Sequence, residues 1–289
     1  MWSPSRRVSR LSRLGALRRR AGDLTGAEYA YRRALVVAER HLPGDDLRAA
    51  RLRKDLGVVL KYTGAFDEAA ALYTQVHTVF VARLGPAHPD VGMVLHNIGG
   101  LSHARGRPAD GETAARAAVS IRSAALGDDH PATAADRSAL AAILDATGRH
   151  DDAEQLLKRA LEVFERRLGS QHHEVGVTLG SLGVIDARRG DSESAECRLR
   201  RALAIKERWL GRNHPELVPT LGTLGYTCQR TSKRGDARAL YQRAVALLER
   251  QGLGKHPQAT ALRVDLALLD ATSGRDATAT RCGRSPSFR

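Results

Sequence analysis

Five histidines stand 42 residues apart in this chain of 289 residues: His88, His130, His172, His214 and His256. Imidazole is the commonest protein metal ligand, so the regularity invites a metal-binding reading. One zinc ion, however, needs several donors within about 2.0–2.1 Å. Equivalent residues of successive repeats lie one structural unit apart, too far to share an ion. The structural reading makes each histidine a loop residue that packs or hydrogen-bonds beside a helix start. His172-His173 is an adjacent pair, but no carboxylate or cysteine stands at ligand spacing from it. His150-Asp151-Asp152 groups an imidazole with two acids. At the start of a helix, acids complement the helix dipole without doing catalysis. Gly252-Leu253-Gly254-Lys255 superficially matches a phosphate loop, yet His256 follows where Ser or Thr is required and no strand precedes it. Neither a nucleophile elbow nor a Ser/His/Asp motif is present. Cys197, Cys228 and Cys282 are unclustered and lack CxxC spacing, which fits neither a disulfide framework nor a zinc knuckle. The expectation is therefore no catalytic residue, no metal site and no cofactor.

The histidines belong to a longer phrase. It reads Leu84-Gly85-Pro86-Ala87-His88-Pro89, then Leu126-Gly127-Asp128-Asp129-His130-Pro131. It weakens at Leu168–His173 and returns at Leu210–Pro215, with a degraded copy ending at His256-Pro257. An undisturbed period of 42 residues predicts a stacked-repeat solenoid rather than one globular core. Residues 131–172 serve as the type unit. Pro131 suits the first turn of a helix A running to about Thr147, with Leu140, Ile143 and Leu144 as its apolar stripe. Gly148 stops it, and helix B runs from about Asp151 to Leu168. Leu56, Ile98, Leu140, Leu182, Leu224 and Leu266 share one helix A column. The next position is always small: Gly57, Gly99, Ala141, Gly183, Gly225 and Ala267. Gly inside a helix costs about 0.8–1 kcal/mol relative to Ala, so its recurrence implies a steric need where the helices cross.

The Leu-Gly pair, the Gly turn and the helix B alanine, as in Leu56-Gly57…Gly64…Ala69, resemble the tetratricopeptide repeat. The long period and the Leu-Gly-x-x-His-Pro loop resemble the repeats of kinesin light chains and their bacterial relatives. The resemblance implies an all-α fold: a right-handed superhelical solenoid of antiparallel helix pairs. Six pairs are expected, near 5–41, 47–84, 89–126, 131–168, 173–210 and 215–251, with a lone capping helix at 257–273. Residues 1–274 form the solenoid, with 1–9 expected to fray, and 275–289 a basic disordered tail. Pro219 sits deep in its helix A, which predicts a late start or a kink. The resemblance also implies that helix A lines a concave groove. Its expected partner-binding residues are Arg51, Lys54, Lys61, Met93, His96, His103, Ser138, Val177, Val184, Tyr226 and Gln229. Ala142, Asp145, Gly180 and Pro219 fall on inward positions too. That groove is basic at one end and small and apolar beyond. The chain departs from kinesin light chains in one respect: the inward column reads Lys54, His96, Ser138, Gly180, Gly222, Val264, without an asparagine ladder.

The formal charge of +14 is concentrated at the ends. Residues 1–22 hold seven arginines and no acid, and residues 275–289 hold four arginines and one aspartate. The body between them is only mildly basic, so nucleic-acid contact through the termini is a secondary reading. No run of about 18 apolar residues is present, and the N-terminus lacks the apolar core of a secretory signal. A cytoplasmic protein is expected, without membrane association. The acid-free N-terminus also has the composition of a transit peptide, but Leu14-Gly15 is in register with Leu56-Gly57, which makes it the first repeat helix. The functional expectation is a non-enzymatic scaffold or adaptor that takes a peptide or helix, acidic at one end, in its groove. Self-association through apolar faces is an accompanying reading. The alternative class is a sensor or specificity module of a larger regulatory or signalling ATPase assembly.

Overall fold

A computed structural model describes residues 4–282, with side chains described for residues 5–271. The described residues form thirteen α-helices and one short 3₁₀ turn, with no strand. The first three pairs are α1 (Pro4–Arg20) with α2 (Leu24–His41), α3 (Leu47–Thr63) with α4 (Phe66–Leu84), and α5 (Pro89–Ala104) with α6 (Pro108–Leu126). The next three are α7 (Pro131–Ala146) with α8 (His150–Leu168), α9 (His173–Arg189) with α10 (Ser192–Leu210), and α11 (Val218–Arg230) with α12 (Arg234–Arg250). A single helix, α13 (Pro257–Cys282), closes the array. It continues past Gly274 into the segment expected as tail, whose residues 283–289 lie outside the described residues. α1 already begins at Pro4, and Val8 is buried against the core. Each helix packs on its own partner and on the next helix along, as a solenoid requires.

The periodic histidines are helix caps. In His88, His130, His172, His214 and His256 the ring Nδ1 accepts the backbone N–H two residues on, at 3.1, 3.1, 3.2, 3.2 and 3.2 Å. Each thereby satisfies one of the orphan donors of a helix start, the role usually taken by Asp, Asn or Ser. In four of the five the next residue is a proline, which has no N–H to satisfy; after His172 it is His173. Pro219 delays the sixth first helix as expected: Pro215–Leu217 forms a 3₁₀ turn before α11.

The turn inside each pair uses a left-handed residue, such as Gly64 at φ 85°. At the equivalent place in the sixth pair stands Ser232, the one non-glycine with positive φ among the described residues, at 61°. A non-glycine there costs about 1–2 kcal/mol. Ser232→Gly is expected to raise stability by about 1 kcal/mol, read as a higher urea midpoint at unchanged slope.

The small-residue columns are buried where the helices cross. Ala27, Ala69, Ala153, Ala195 and Ala237 are all fully buried, as are Ala34, Val76, Ala118, Ala160, Ala202 and Ala244. Superhelical winding brings the start of the array back over its end. His214 Nε2 donates to the carbonyl of Arg19 at 3.2 Å, across 195 residues of sequence. A side chain at Gly22 would meet His214 and Pro215 at 3.2 Å, and one at Gly64 would meet His256 at 3.4 Å. The loops that open the sixth pair and α13 therefore touch the turns inside the first and second pairs directly.

Candidate functional site

The residues expected in the groove divide between structural work and a cavity. At the basic end, Arg51 pairs with Asp90 at 3.2 Å and Lys54 with Asp55 at 2.8 Å. Lys61 is half-buried, its ammonium 5.0 Å from the centre of the Tyr62 ring. Desolvation lowers its pKa, opposed by the charge of Glu216. Met93 is half-buried on the same helix as His96, whose Nδ1 lies 2.9 Å from Asp136 Oδ1. Ser138 Oγ is buried with no hydrogen-bond partner among the described residues. Gln229 Oε1 accepts from the Tyr241 hydroxyl at 3.2 Å, which ties it to α12. Tyr226 is exposed, with the Arg230 guanidinium 5.9 Å from its ring centre.

His103, Val177 and Val184 are brought together. They line a cavity of about 250 Å³ on the inner face, formed chiefly by α5, α7, α9, α10 and α11. Ala142 and Val177 with Val184 supply its apolar wall; Asp145, Arg188, Lys206, Thr220 and Thr223 supply its polar one. Asp145 is held from two sides, by His150 Nδ1 at 2.7 Å and by Arg188 Nη1 at 2.5 Å. His103 has its pKa lowered, first by desolvation and then by the Lys61 charge. Lys206 is 6% exposed, and its ammonium donates to Thr220 Oγ1 at 3.1 Å. Burial lowers its pKa, opposed by the charges of Glu216 and Glu174. Arg188, Lys206 and Thr220 are the lining residues that reading helix A alone misses or misjudges. Lys206 lies on a helix B. Its signal in the sequence is a lysine in a column that also holds Ala38, Phe80, Arg122, Phe164 and Leu248, where Arg122 is the one other cation.

Beside the cavity, His173 Nε2 lies 2.7 Å from Glu216 Oε1, an ion-pair contact without good hydrogen-bond direction. Burial pulls the His173 pKa down, but Glu174 and Glu216 together outweigh it and raise it to about 9. Burial pushes Glu216 up, but His173, with help from Lys206 and His214, brings it down to about 2. A raised histidine stabilises the fold fully below its ordinary value of 6.5 and loses that contribution as pH rises through about 9. A depressed carboxylate contributes above its ordinary 4.5 and loses it as pH falls through about 2. The difference in urea midpoint between wild type and His173→Gln is therefore expected to be largest near pH 6 and to close by pH 10. A pH-independent difference would remove the pair as its cause.

No helix among the described residues is long and apolar enough to cross a membrane, and none of their His, Cys, Asp and Glu side chains form a group of three suited to a metal ion. A sequence profile of the Tetratricopeptide repeat family matches residues 8–80, 90–166, 140–208 and 199–250. No curated protein sequence matches the chain. Among solved structures, BtubC (BKLC) from P. vanneervenii is 20% identical, covering 100% of this chain and 96% of its own at a TM-score of 0.52. Nearly identical TPR-like repeats from a Podospora anserina kinesin light chain are 22% identical, covering 73% of this chain and 99% of theirs, at 0.50. A Rap protein complexed with Competence and Sporulation Factor is 13% identical, covering 93% of this chain and 76% of its own, at 0.64.

Proposed function

This chain belongs to the tetratricopeptide repeat family, and from that premise we propose that it is a non-enzymatic interaction protein that receives a peptide segment of a protein partner on its inner face. The observation that carries this reading is the cavity of about 250 Å³ on that face, apolar on one wall and charged on the other. Binding sites for small segments have this mixture: apolar area for affinity and a few polar groups for orientation. The site lies in the middle of the array, not at the basic end. Arg51 and Lys54 are already engaged by Asp90 and Asp55 and have less charge to offer a partner. The Rap protein solved with Competence and Sporulation Factor has a fold of the same kind, which is compatible with a ligand held inside such a solenoid.

The test is peptide selection from a random display library on the full chain, followed by titration of synthetic peptides by fluorescence polarisation. Val184→Asp puts a charge in the apolar wall and is expected to weaken binding about tenfold or more. Val36→Asp, at an exposed position on α2, is expected to leave it unchanged. Equal affinity for wild type and Val184→Asp would remove the cavity as the site. A library that yields no ligand would remove the peptide reading itself.

A further inference from the structure

The loop that opens each repeat from the second onward carries, one residue before the capping position, Asp45, Ala87, Asp129, Gln171, Asn213 and Lys255 in turn. Three of these take an arginine from the last turn of the helix B that follows. Asp45 pairs with Arg83 at 3.2 Å, Asp129 with Arg166 at 2.8 Å, and Asn213 Oδ1 accepts from Arg250 at 2.9 Å. Arg208 is the register equivalent of Arg166 and Arg250, but Gln171 stands where Asp129 stands for Arg166. Arg208 has no hydrogen-bond or ion-pair partner among the described residues. Glu207, its neighbour in sequence, is taken by Arg243 at 2.6 Å, and Glu165 by Arg201 at 2.8 Å. The next position holds Trp209, where the other repeats have His41, Arg83, Ala125, Arg167 and Gln251. Its indole N–H donates to the Gln171 carbonyl at 2.6 Å, and the His172 ring meets it edge-on with 4.8 Å between centres. The indole is therefore fixed in place while 40% of the residue stays exposed.

A second cation arrives from the other end of the array. The hydrogen bond of His214 to the Arg19 carbonyl anchors the end of α1 against the later repeats. Arg20, the last residue of α1, joins Arg208 and Trp209 around a cavity of about 540 Å³. Arg20 too has no partner among the described residues. No acid lines this cavity; the rest of its wall is the 168–172 loop, with Ser170 and Gln171. It shares no residue with the inner-face cavity. Two guanidiniums without a counter-charge form a fork suited to phosphate oxygens, which arginine binds bidentately. An anchored indole offers a flat face on which a nucleobase stacks whatever its identity. The volume falls within the range of about 300–1,000 Å³ usual for small-molecule sites. We propose that this cavity binds a nucleotide, its base on Trp209 and its phosphates on Arg20 and Arg208. An inorganic anion would engage the arginines and leave the indole idle, whereas a nucleotide carries a flat ring and a phosphate one ribose apart and uses both. Arg20 belongs to the first pair and the other two residues to the fifth, so a bound nucleotide also bridges two turns of the superhelix.

The experiment uses the full chain with Trp2→Phe, which leaves Trp209 as its one tryptophan, and follows the emission during titration with ADP, GDP, CDP and UDP. At least one of the four is expected to quench it, and calorimetry on the wild-type chain to give the same affinity. For the tightest of them, Arg20→Glu and Arg208→Glu are each expected to weaken binding about tenfold or more. Arg40→Glu, the same change of charge at an exposed position on α2, is expected to leave it within about twofold. Val184→Asp, in the other cavity, is expected to leave it unchanged. The matching nucleoside and pyrophosphate each hold half of the ligand and are expected to bind about tenfold more weakly or worse, a comparison that needs no variant to fold. Pyrophosphate binding as tightly as the nucleotide would overturn the base assignment and leave a site for an anion. A nucleoside binding as tightly would overturn the phosphate assignment. A phosphotyrosine peptide binding more tightly than any of the four would overturn the nucleotide in favour of a phosphorylated protein. Equal weakening by Arg40→Glu and Arg208→Glu would overturn the site in favour of diffuse attraction to the charge of +14. No response to any of the four would overturn the proposal outright.

Discussion

Gly57→Ala is expected to destabilise the protein by about 1–3 kcal/mol, although alanine is the better helix former by about 0.8–1 kcal/mol. A methyl carbon at Gly57 would stand 2.6 Å from Tyr73 Cε1 and 3.0 Å from Cζ. Tyr73 is fully buried and cannot swing away. The same arrangement recurs at Gly15 under Tyr31, with 2.8 Å, and at Gly225 under Tyr241, with 2.7 Å. The fourth pair solves the contact differently. There Ala141 lies under Leu157, and both are buried without a tyrosine. Tyr73→Leu alone leaves a void under helix α4 and is expected to destabilise as well. Gly57→Ala with Tyr73→Leu rebuilds the pair of the fourth repeat, so the double variant is expected to cost less than the sum of the singles. The favourable coupling should fall in the range of about 0.5–3 kcal/mol found for residues in contact. Urea midpoints of the four proteins measure it. A Gly57→Ala chain as stable as wild type would mean that the Leu-Gly column answers to something other than the tyrosine ring.

That column illustrates how much of the fold is legible in the amino-acid sequence. The 42-residue period dictates the pairing of helices, because each unit repeats the same start, crossing and stop signals. His130 and Pro131 mark a helix start by chemistry that is local in sequence, and Pro219 predicts its delayed helix for the same reason. The groove is legible only in part. Inward positions of helix A follow from the repeat, which is why His103, Val177 and Val184 meet in one cavity. Two things are not written in the columns. Local charge pairing takes Arg51 and Lys54 away from a partner, and it depends on Asp90 and Asp55 at positions with no repeated role. Superhelical winding sets how far the interior closes, and the contact of His214 with Arg19 joins residues that share no local signal. Lys206 is hidden for a third reason. Its column is a core column, and only the identity of the residue facing it separates a cation paired with a carboxylate from one bonded to a hydroxyl.

Asp136→Ala is expected to cost about 3–5 kcal/mol, the range for breaking a buried ion pair from one side. Asp136 is 1% exposed, and one of its oxygens accepts from both Arg122 Nη1 and the His96 ring at 2.9 Å. Removing it leaves the Arg122 guanidinium buried with only the Pro89 and Ala132 carbonyls, each at 3.3 Å. Replacing both members should recover most of the loss. Arg122→Phe with Asp136→Thr copies Phe164 and Thr178, the equivalent uncharged pair of the neighbouring repeat, both fully buried. There the Thr178 hydroxyl donates to the Glu174 carbonyl at 2.8 Å and leaves no polar atom stranded. Lys206 is expected to behave differently. It makes no direct ion pair, although the charges of Glu216 and Glu174 offset part of its burial, so Lys206→Met removes a desolvated charge and is expected to cost far less than Asp136→Ala. The Thr220 hydroxyl loses one charge-assisted hydrogen bond from it, worth about 1.5–3 kcal/mol. Thermal unfolding of Asp136→Ala, the Arg122→Phe/Asp136→Thr double and Lys206→Met tests the contrast in one series. A Lys206→Met protein as unstable as Asp136→Ala would mean that Lys206 is held by the fold as firmly as Arg122 is.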